Sequence, residues 1–405
     1  MNIKQQLLID KFIAKPVAFL LNFMVRGVGQ ILSISHDLNK PFKTIAICKF
    51  KGMGSIIQAT PMLEAIRKKH PEAEIIFVTT EPNRRILTKI DLVDAIVTID
   101  DSNLFKFIST NIKSLLFLLK KRPEVYFDLE IYSDFSTLFT LFSLSTNRIG
   151  FYLRSSSFRM GIYTHMMFFN PRVPISQVYL QLTRLIGCDS DSIDLYPLTK
   201  NTATPTRREK KYLVINPNSS DLRLERRWDK ENFINLIRLI VEKFTEYDVL
   251  LIGGGGTEKA YTEEISKQLN DSRVINTASK TSIDEAIDLI GGAELMVTND
   301  TGPMHIAFSL NTEVVCLFGP CSPDQYGMSK NAHIIYKSTY CSPCIHDFEI
   351  APCKGNNVCM KLITVEEVFE KVSQLLDKET ETKAQLFGSQ FIYKDESNVY
   401  GKVIR

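Results

Sequence analysis

The chain has 405 residues, which is too long for one ordinary domain and suits two of average size. Its hydrophobic fraction of 44% and charged fraction of 23% are those of a globular protein. The net charge of +3 is nearly balanced, so the overall charge gives no argument for a nucleic-acid partner, and none is expected. The sequence has no uninterrupted apolar run of about 18 residues, so no conventional membrane-spanning helix is predicted.

The N-terminal segment, residues 1–40, is both apolar and basic. Residues 11–32 are mostly apolar but are interrupted by Lys15, Pro16 and Arg26, and no small-residue cleavage site of a signal peptide follows. This composition predicts an amphipathic helix that lies at the inner membrane surface and contacts anionic lipid. The alternative is a helix packed on the protein's own surface. The predicted location is cytoplasmic, and peripheral on the inner membrane under the first interpretation.

Strands and helices alternate from residue 44 onward, which predicts a parallel sheet with crossover helices in a first domain, residues 41–200. Pro61 is expected to break or kink the first helix. The predicted strands are 44–50, 73–80, 94–99, 124–131 and 147–152, and the predicted helices are 55–70 and 105–122.

A polar, basic stretch at 201–211 is predicted to be a linker, and the alternation then restarts in a second domain, residues 212–379. The tail, 380–405, is polar and has no assigned structure. The predicted strands are 212–216, 247–254, 294–299 and 312–319, and the helices are 230–244, 258–270, 282–293 and 364–379. Two doubly wound domains in series leave a cleft at the carboxyl ends of their sheets, where ligands bind.

The loop after the first strand, KFKGMGSII (49–57), allows close approach of a ligand to the backbone at Gly52 and Gly54. It resembles a dinucleotide-binding loop, but Ile57 stands where the third glycine belongs, so a nicotinamide oxidoreductase is disfavoured. A tight turn without a ligand is the alternative.

The loop after the first strand of the second domain carries groups suited to a diphosphate. Ser219 and Ser220 can hydrogen-bond oxygens, and Arg226 and Arg227 are permanent cations. The alternative is a solvated charged loop. The glycine-rich stretch 250–259 lacks the Lys-Ser/Thr ending of a P-loop, which disfavours triphosphate hydrolysis.

The stretch VTNDTGPMHIAF (297–308) predicts a strand, a cap at Thr301 and a helix opened by Gly302 and a proline. The start of a helix carries partial positive charge and exposed N–H groups, so a diphosphate is the expected ligand. Asp300 repels phosphate and suits sugar hydroxyls. His305 is placed to donate a hydrogen bond to a phosphate oxygen or a leaving group.

Four of the eight cysteines form the pattern Cys-x2-Cys-x8-Cys-x5-Cys: Cys341, Cys344, Cys353 and Cys359. The spacing allows a closed structural zinc site, with His346 as an alternative ligand, and the other interpretation is a set of reduced thiols.

Four blocks of the sequence resemble the glycosyltransferases that include the ADP-heptose:lipopolysaccharide heptosyltransferases (glycosyltransferase family 9). The blocks are 49–78, 215–228, 289–323 and 341–367. The resemblance implies a GT-B fold, with the acceptor bound mainly by the first domain and the nucleotide-sugar by the second. It also implies inverting transfer without a required metal or other cofactor.

By the same resemblance, eight residues are expected to bind the donor: Ser219, Ser220, Arg226, Glu258, Asp300, Thr301, Gly302 and His305. The loop on the acceptor side is Gly52, Met53, Gly54 and Ser55. Members of the family commonly have Gly-Asp in this loop, with the Asp as the proposed base, whereas this chain has Gly54-Ser55, and a serine is no general base near neutral pH. Glu130 and Asp134, at the end of the 124–131 strand, are the predicted replacements, and solvated loop acids are the alternative.

The leading hypothesis is transfer of a heptose or related sugar from an ADP-sugar, ADP-heptose first, to a lipopolysaccharide core or similar lipid-linked glycan. The alternative is a catalytically silent nucleotide-sugar binder that acts as a scaffold, which Ser55 favours.

Overall fold

The computed structural model describes residues 10–131, 133–153, 159–199, 210–220, 223–345 and 351–384. These residues form two six-stranded sheets, and every strand pair in both sheets is parallel. The predicted linker, 201–211, lies mostly outside the described residues, as do His346 and the tail beyond residue 384.

The first sheet has the strand order β3-β2-β1-β4-β5-β6, so the chain reverses direction across the sheet between β1 and β4. Its strands are β1 Thr44–Cys48, β2 Glu74–Thr80, β3 Ala95–Ile99, β4 Val125–Asp128, β5 Asn147–Tyr152 and β6 His165–Phe168. Its helices, after a π-helical turn at Asp10–Ala14, are α1 Lys15–Leu32, α2 Met53–Gln58, α3 Thr60–Lys69, α4 Arg84–Leu87, α5 Leu104–Lys121, α6 Asp134–Phe142 and α7 Ile175–Thr183.

The second sheet has the order β12-β11-β10-β7-β8-β9, with its reversal between β7 and β10. Its strands are β7 Tyr212–Asn216, β8 Asp248–Leu251, β9 Val274–Asn276, β10 Leu295–Asn299, β11 Val314–Phe318 and β12 Ala332–Tyr336. Its helices are α8 Lys230–Lys243, α9 Thr257–Leu269, α10 Ile283–Gly291, α11 Gly302–Ser309, α12 Pro323–Tyr326, α13 Val358–Lys361 and α14 Val365–Ala384. Crevices for ligands open at such reversal points.

Alternate residues of β1 supply two different cores, because side chains of a strand point to opposite faces of the sheet. Ile45 and Ile47 pack with the side of the sheet that α3 and α7 cover. Ala46 and Cys48 pack on the opposite side with Leu118 of α5 and with α6. All four side chains are fully buried, as expected for a central strand covered on both faces.

The predicted helix 55–70 is two helices that meet at Ala59. Pro61 has no N–H to donate to the carbonyl of Ile57, which would be its helical partner. The hydroxyl of Thr60 donates to that carbonyl instead, at 2.7 Å. The predicted break of the helix near Pro61 is confirmed, since α2 ends at Gln58 and α3 begins at Thr60.

Among the described elements, three strands and five helices have no counterpart in the predictions from the sequence: β6, β9, β12, α4, α6, α7, α12 and α13. Strands β6, β9 and β12 all lie at the ends of the two sheets. An edge strand buries fewer of its side chains, so its apolar signal is weak; in β6 none of the four residues is fully buried.

Candidate active site

A cavity of about 900 Å³ lies between the two domains. The first domain contributes the loop and helix start Lys51–Ser55, and the second contributes residues from the loops after β7, β8 and β10. All of the residues predicted for the donor line this cavity: Ser219, Ser220, Arg226, Glu258, Asp300, Thr301, Gly302 and His305. The four residues predicted for the acceptor-side loop, Gly52, Met53, Gly54 and Ser55, line it from the other side.

The acceptor-side loop is anchored from below by a buried carboxylate. Glu130 Oε1 accepts hydrogen bonds from the backbone N–H groups of Phe50 and Lys51 at 2.8 and 2.9 Å. Glu130 Oε2 lies 2.9 Å from Lys49 Nζ. Burial opposes the charged form, but Lys49 outweighs it and holds the pKa of Glu130 below its ordinary value. The ion pair is therefore charged, and it fixes where the loop leaves β1.

Asn299, at the carboxyl end of β10, holds the loop after β7 in place. Its amide nitrogen donates to the carbonyls of Pro217 and Asn218 at 3.1 and 3.0 Å, and its oxygen accepts from the N–H of Trp228 at 3.0 Å. Trp228 is fully buried and donates through its indole N–H to Ile363. Between these fixed points, the loop presents its serines and Arg226 to the cavity.

Arg226 is a permanent cation at the cavity wall. Its Nη1 lies 3.4 Å from Asp300 Oδ2. Burial works against the charge, but Asp300 raises the pKa of Arg226 above its ordinary value. Asp300 thus orients the guanidinium while leaving it able to bind an anion.

Helix α11 begins at the same wall. Thr301 is its N-cap in an extended conformation, and Gly302 and Pro303 are the first two helical residues. Asn216 donates to the Thr301 hydroxyl at 2.8 Å, which ties the end of β7 to the start of α11. The partial positive charge of the helix start therefore faces the cavity beside Arg226.

His305 joins the two domains. Its Nδ1 lies 3.0 Å from the amide nitrogen of Gln58 in α2. An amide nitrogen only donates, so Nδ1 accepts and the neutral ring carries its proton on Nε2. Burial lowers the pKa of His305 to about 4, although Asp300 acts in the opposite direction. His305 is consequently a neutral hydrogen-bond donor near neutral pH.

Gly54 is required for this contact. A Cβ atom at Gly54 would lie 2.1 Å from His305 Cδ2, closer than any side chain permits. The glycine that the sequence singled out for close approach to a ligand therefore also allows the two domains to touch.

Several buried polar atoms at the cavity have no hydrogen-bond partner within the described part of the chain. They are Ser219 Oγ, Asn218 Oδ1 and Arg226 Nε. Leaving a buried polar atom unpaired costs about 1–3 kcal/mol, so such atoms cluster where a ligand completes the bonding. Glu258 also lines the cavity and accepts from the N–H of Gly254 at 2.7 Å.

The two predicted bases lie away from the cavity wall. Glu130 is buried and bonded as described above. Asp134 is the first residue of α6 and is partly buried, and neither residue is among those that line the cavity. Ser55 is near Tyr179 of α7 and acts to lower the pKa of that phenol, although burial raises it overall. The structure brings the donor residues together but does not bring these two carboxylates to them.

The four clustered cysteines line a second, small cavity of about 20 Å³, apart from the first. Burial raises the pKa of Cys344 to about 11, and the three neighbouring thiols act in the same direction. Among the described residues, no three His, Cys, Asp or Glu side chains are arranged as they stand to hold a metal ion.

Two residues of the site were missed in the sequence. Gln58 was placed in a helix, but no pattern connects it to a histidine 247 positions away. Asn299 was seen only as the end of a strand. A polar residue at the end of an otherwise apolar strand is the signal that could have marked it.

Replacing His305 by Gln should reduce the loss of stability at acid pH. The pKa of His305 is about 4 in the folded protein, whereas the ordinary value of a histidine, 6.5, applies to the unfolded chain. Between pH 4 and 6.5 the unfolded chain therefore binds one proton that the folded protein does not. The neutral form of His305 contributes on the order of 3 kcal/mol to the free energy of unfolding. This stabilisation is fully present above pH 6.5 and is lost as the pH falls toward 4. Urea unfolding measured across this window tests the prediction.

The matched control is His36→Gln, which replaces an exposed imidazole. Its free energy of unfolding should depend on pH as that of the wild type does. If His305→Gln loses as much stability as the wild type over the same window, the account of His305 is wrong.

Three comparisons with known proteins agree with this geometry. A family model described as glycosyltransferase family 9 (heptosyltransferase) matches residues 190–354. The chain is 30% identical over 174 residues to lipooligosaccharide heptosyltransferase 2 of Campylobacter jejuni, covering 42% of this chain and 52% of the relative, so it spans about half the length of that relative. It is 26% identical over 292 residues to lipopolysaccharide heptosyltransferase 1 of Campylobacter coli, covering 68% and 83% of the two chains.

The fold is similar to that of the solved ADP-heptose lipopolysaccharide heptosyltransferase II of Escherichia coli. The TM-score is 0.68 at 22% identity, over 84% of this chain and 99% of that one. The two facing doubly wound domains are therefore the GT-B fold that the resemblance implied. The family model over residues 190–354, the relatives and the fold together make the chain similar to members of glycosyltransferase family 9.

Proposed function

We propose that the protein is an inverting glycosyltransferase that transfers heptose, or a closely related sugar, from ADP-heptose to a lipopolysaccharide core or similar lipid-linked glycan. The names of its relatives support the sugar and the acceptor class. The observation that carries the proposal is the convergence of Arg226, the start of α11 and the unpaired Ser219 hydroxyl on one cavity between the domains. The proposed location is the cytoplasm, where ADP-sugars are available.

The chemistry is one displacement at the anomeric carbon. The acceptor oxygen forms the new bond, the bond to the nucleotide diphosphate breaks, and negative charge develops on the departing phosphate oxygen. Arg226 and the N–H groups at the start of α11 are already in place to stabilise that charge. They do not have to reorganise during the reaction, and the effect of Arg226 is strengthened because its side chain is largely buried.

His305 has a distinct role in this proposal. A protonated imidazole would add a second buried cation beside Arg226, and burial prevents this. The neutral ring instead donates from Nε2 to the diphosphate or the leaving oxygen. Asp300, which would repel a phosphate, is held by Arg226 and is left for the hydroxyls of the sugar.

The silent-scaffold alternative rests on Ser55 and on the absence of Glu130 and Asp134 from the cavity lining. The similarity to a family of transferases does not favour it. Binding of ADP without turnover on any acceptor is the result that would restore it.

Arg226→Met should weaken ADP binding by about tenfold to a hundredfold, since a charge-assisted contact is worth about 1.5–3 kcal/mol. Calorimetry with ADP measures the binding, and ADP release from ADP-heptose with a lipopolysaccharide core acceptor measures the turnover. Arg227→Met is the matched control, because Arg227 stacks on Tyr261 at 4.2 Å and does not line the cavity. Equal losses in the two variants, or no binding of ADP to the wild type, would contradict the proposal.

The base is proposed to be Asp134 or Glu130, and two variants separate them. Asp134→Asn should fold normally and, if Asp134 is the base, lower kcat by about a hundredfold or more without weakening ADP binding. Glu130→Gln should instead cost about 3 kcal/mol of stability, because Lys49 is left buried without its counter-charge. Unchanged turnover in Asp134→Asn removes that residue from the role.

A Lys49→Met, Glu130→Leu double variant is the control for Glu130. It removes the carboxylate together with the buried cation, so folding should be retained. Turnover close to that of the wild type in this variant would show that Glu130 is not the base.

We also propose that Cys341, Cys344, Cys353 and Cys359 hold a structural metal ion, with zinc as the predicted ion. Their side chains share one small cavity and would have to draw together to bind it. Metal analysis of the purified protein should find about one equivalent, which Cys353→Ser removes and Cys188→Ser, a buried thiol elsewhere, does not. Less than about a tenth of an equivalent in the wild type would exclude the site.

For the N-terminal helix, we propose contact with the inner membrane surface. The stretch Phe12–Leu32 is long and apolar enough to cross a membrane. However, α1 packs on α6 through Ala18, which favours a helix lying on the surface. Binding of the full chain to lipid vesicles, compared with a Phe23→Glu, Ile31→Glu variant and followed by alkaline extraction, is the measurement that tests this contact.

A further inference from the structure

Three helices cover one face of the first sheet and are connected to one another. Leu118 of α5 and Phe139 of α6 pack on the face of the sheet that carries Ala46 and Cys48. The rings of Phe107 in α5 and Phe135 in α6 are 5.2 Å apart. Helix α1 packs on α6 in turn. The three helices therefore form a continuous layer.

The outer side of α5 is apolar as well as its inner side. Helix α5 packs inward through Leu115 and Leu118, yet a stripe at four-residue spacing points outward to solvent. The exposed stripe consists of Leu104, Ile108, Ile112 and Leu116, with relative exposures of 56%, 50%, 54% and 59%, and it is flanked by Phe105 at 81% and Leu119 at 37%. A surface helix ordinarily turns polar residues outward, so this stripe calls for a partner.

The same layer continues in its neighbours. Phe142 and Leu144, at the end of α6, are exposed. Helix α1 exposes a larger apolar set: Val17, Phe19, Leu20, Phe23, Met24, Val28, Ile31 and Leu32. The exposed apolar residues of the first domain are thus concentrated on this one layer.

The charges of α1 and α5 have a single sign, and the one charged residue of α6 is Asp134 at its start. Helices α1 and α5 contain no acidic residue, whereas the whole chain has 46 acidic residues against 49 basic ones. Their six basic residues are Lys15, Arg26, Lys106, Lys113, Lys120 and Lys121. Lys106 and Lys121 form ion pairs with Asp100 and Glu74, while Lys113 and Lys120 are exposed on α5. An apolar stripe bordered by cations matches the interface of an anionic bilayer.

The layer also lies beside the cavity. In a parallel sheet the helices begin at the edge where the strands end, so Phe105 and the start of α6 lie at the cleft edge of the first sheet. The ring of Phe50, next to the acceptor-side loop, is 5.5 Å from that of Phe135, which contacts Phe107 of α5. A row of packed aromatic rings connects the acceptor-side loop with the apolar layer.

We infer that α5 is a second membrane-contact element, and that α5, α6 and α1 together seat the first domain on an anionic phospholipid bilayer with the acceptor side of the cleft close to the lipid. This rests on the proposed function, because a lipid-anchored acceptor would then present its sugar at the edge where the cavity opens. The bilayer contact of α5 is separable from the contact of α1, since α1 packs on α6 and the apolar stripe of α5 is exposed.

The test uses the full chain and vesicles of phosphatidylcholine with and without phosphatidylglycerol. Phe105→Glu, Ile112→Glu on α5 should lower the partition onto anionic vesicles by about tenfold or more. Met328→Glu, Leu362→Glu is the matched control, because both side chains are half-exposed on the second domain. ADP release with an acceptor dissolved in detergent should remain that of the wild type, which separates a failure of this inference from a failure of the proposed activity.

A Leu116→Trp variant guards against misfolding as the cause of lost binding. The only native tryptophan, Trp228, is fully buried, so a new tryptophan on α5 reports its own surroundings. Its emission should shift to the blue with anionic vesicles and be quenched by brominated lipid.

Three results would overturn the inference. The first is vesicle binding of the α5 variant equal to that of the wild type, and the second is no quenching of a tryptophan at position 116. The third is a wild-type protein that self-associates and does not bind vesicles, and that becomes monomeric when α5 is substituted. In the first of these cases the contact proposed for α1 would still stand.

Discussion

The donor side of the cleft depends on the side chain of Asn299. Its three hydrogen bonds connect β10 to the loop after β7, across the point where the strand order of the second sheet reverses. A parallel sheet leaves a crevice at that point, but the crevice has a defined shape only if the loops around it are fixed. Asn299 fixes one loop by its backbone, and Asn216 ties the end of β7 to the start of α11. The groups that face the cavity can then be left without partners of their own.

The electrostatics of the site follow from how each group is buried. Arg226 remains charged because Asp300 is beside it, and His305 remains neutral because burial outweighs that same carboxylate. The outcome on this wall is a largely buried cation, a neutral donor and a helix start, while Lys51 and Arg223 also line the cavity. Such an arrangement suits the proposed diphosphate leaving group. The only charge that it adds beside Asp300 is that of Arg226, which the Asp300 carboxylate balances.

The first domain has a different construction. Its loop is held by the Glu130–Lys49 ion pair, and the Gly54 backbone meets His305 of the other domain, so the acceptor-side loop lies directly against His305. On its far side the domain carries the apolar layer of α1, α5 and α6. The same sheet thus connects the cavity at its edge to a surface suited to lipid, which is the arrangement that an enzyme acting on a lipid-anchored acceptor requires.

Much of this organisation is encoded locally. The alternation of apolar runs determined two parallel-sheet domains, and Pro61 determined the break between α2 and α3. The Ser282–Glu285 pair forms a capping box at the start of α10. The run Thr301-Gly302-Pro303 determined where α11 begins. The spacing of neighbouring residues controls these features, so the sequence alone predicts them.

The tertiary structure decided the rest, because contacts between distant residues leave no local pattern. Only the fold pairs Gln58 with His305, commits Glu130 to Lys49 below the loop rather than to the cavity, and places the edge strands β6, β9 and β12. The amphipathic pattern of α5 indicated a helix with a buried face; the packing of the sheet decided that its second apolar stripe stays outside. A periodic pattern specifies that a helix has an apolar side, but what covers each side depends on the neighbours that the whole chain brings to it.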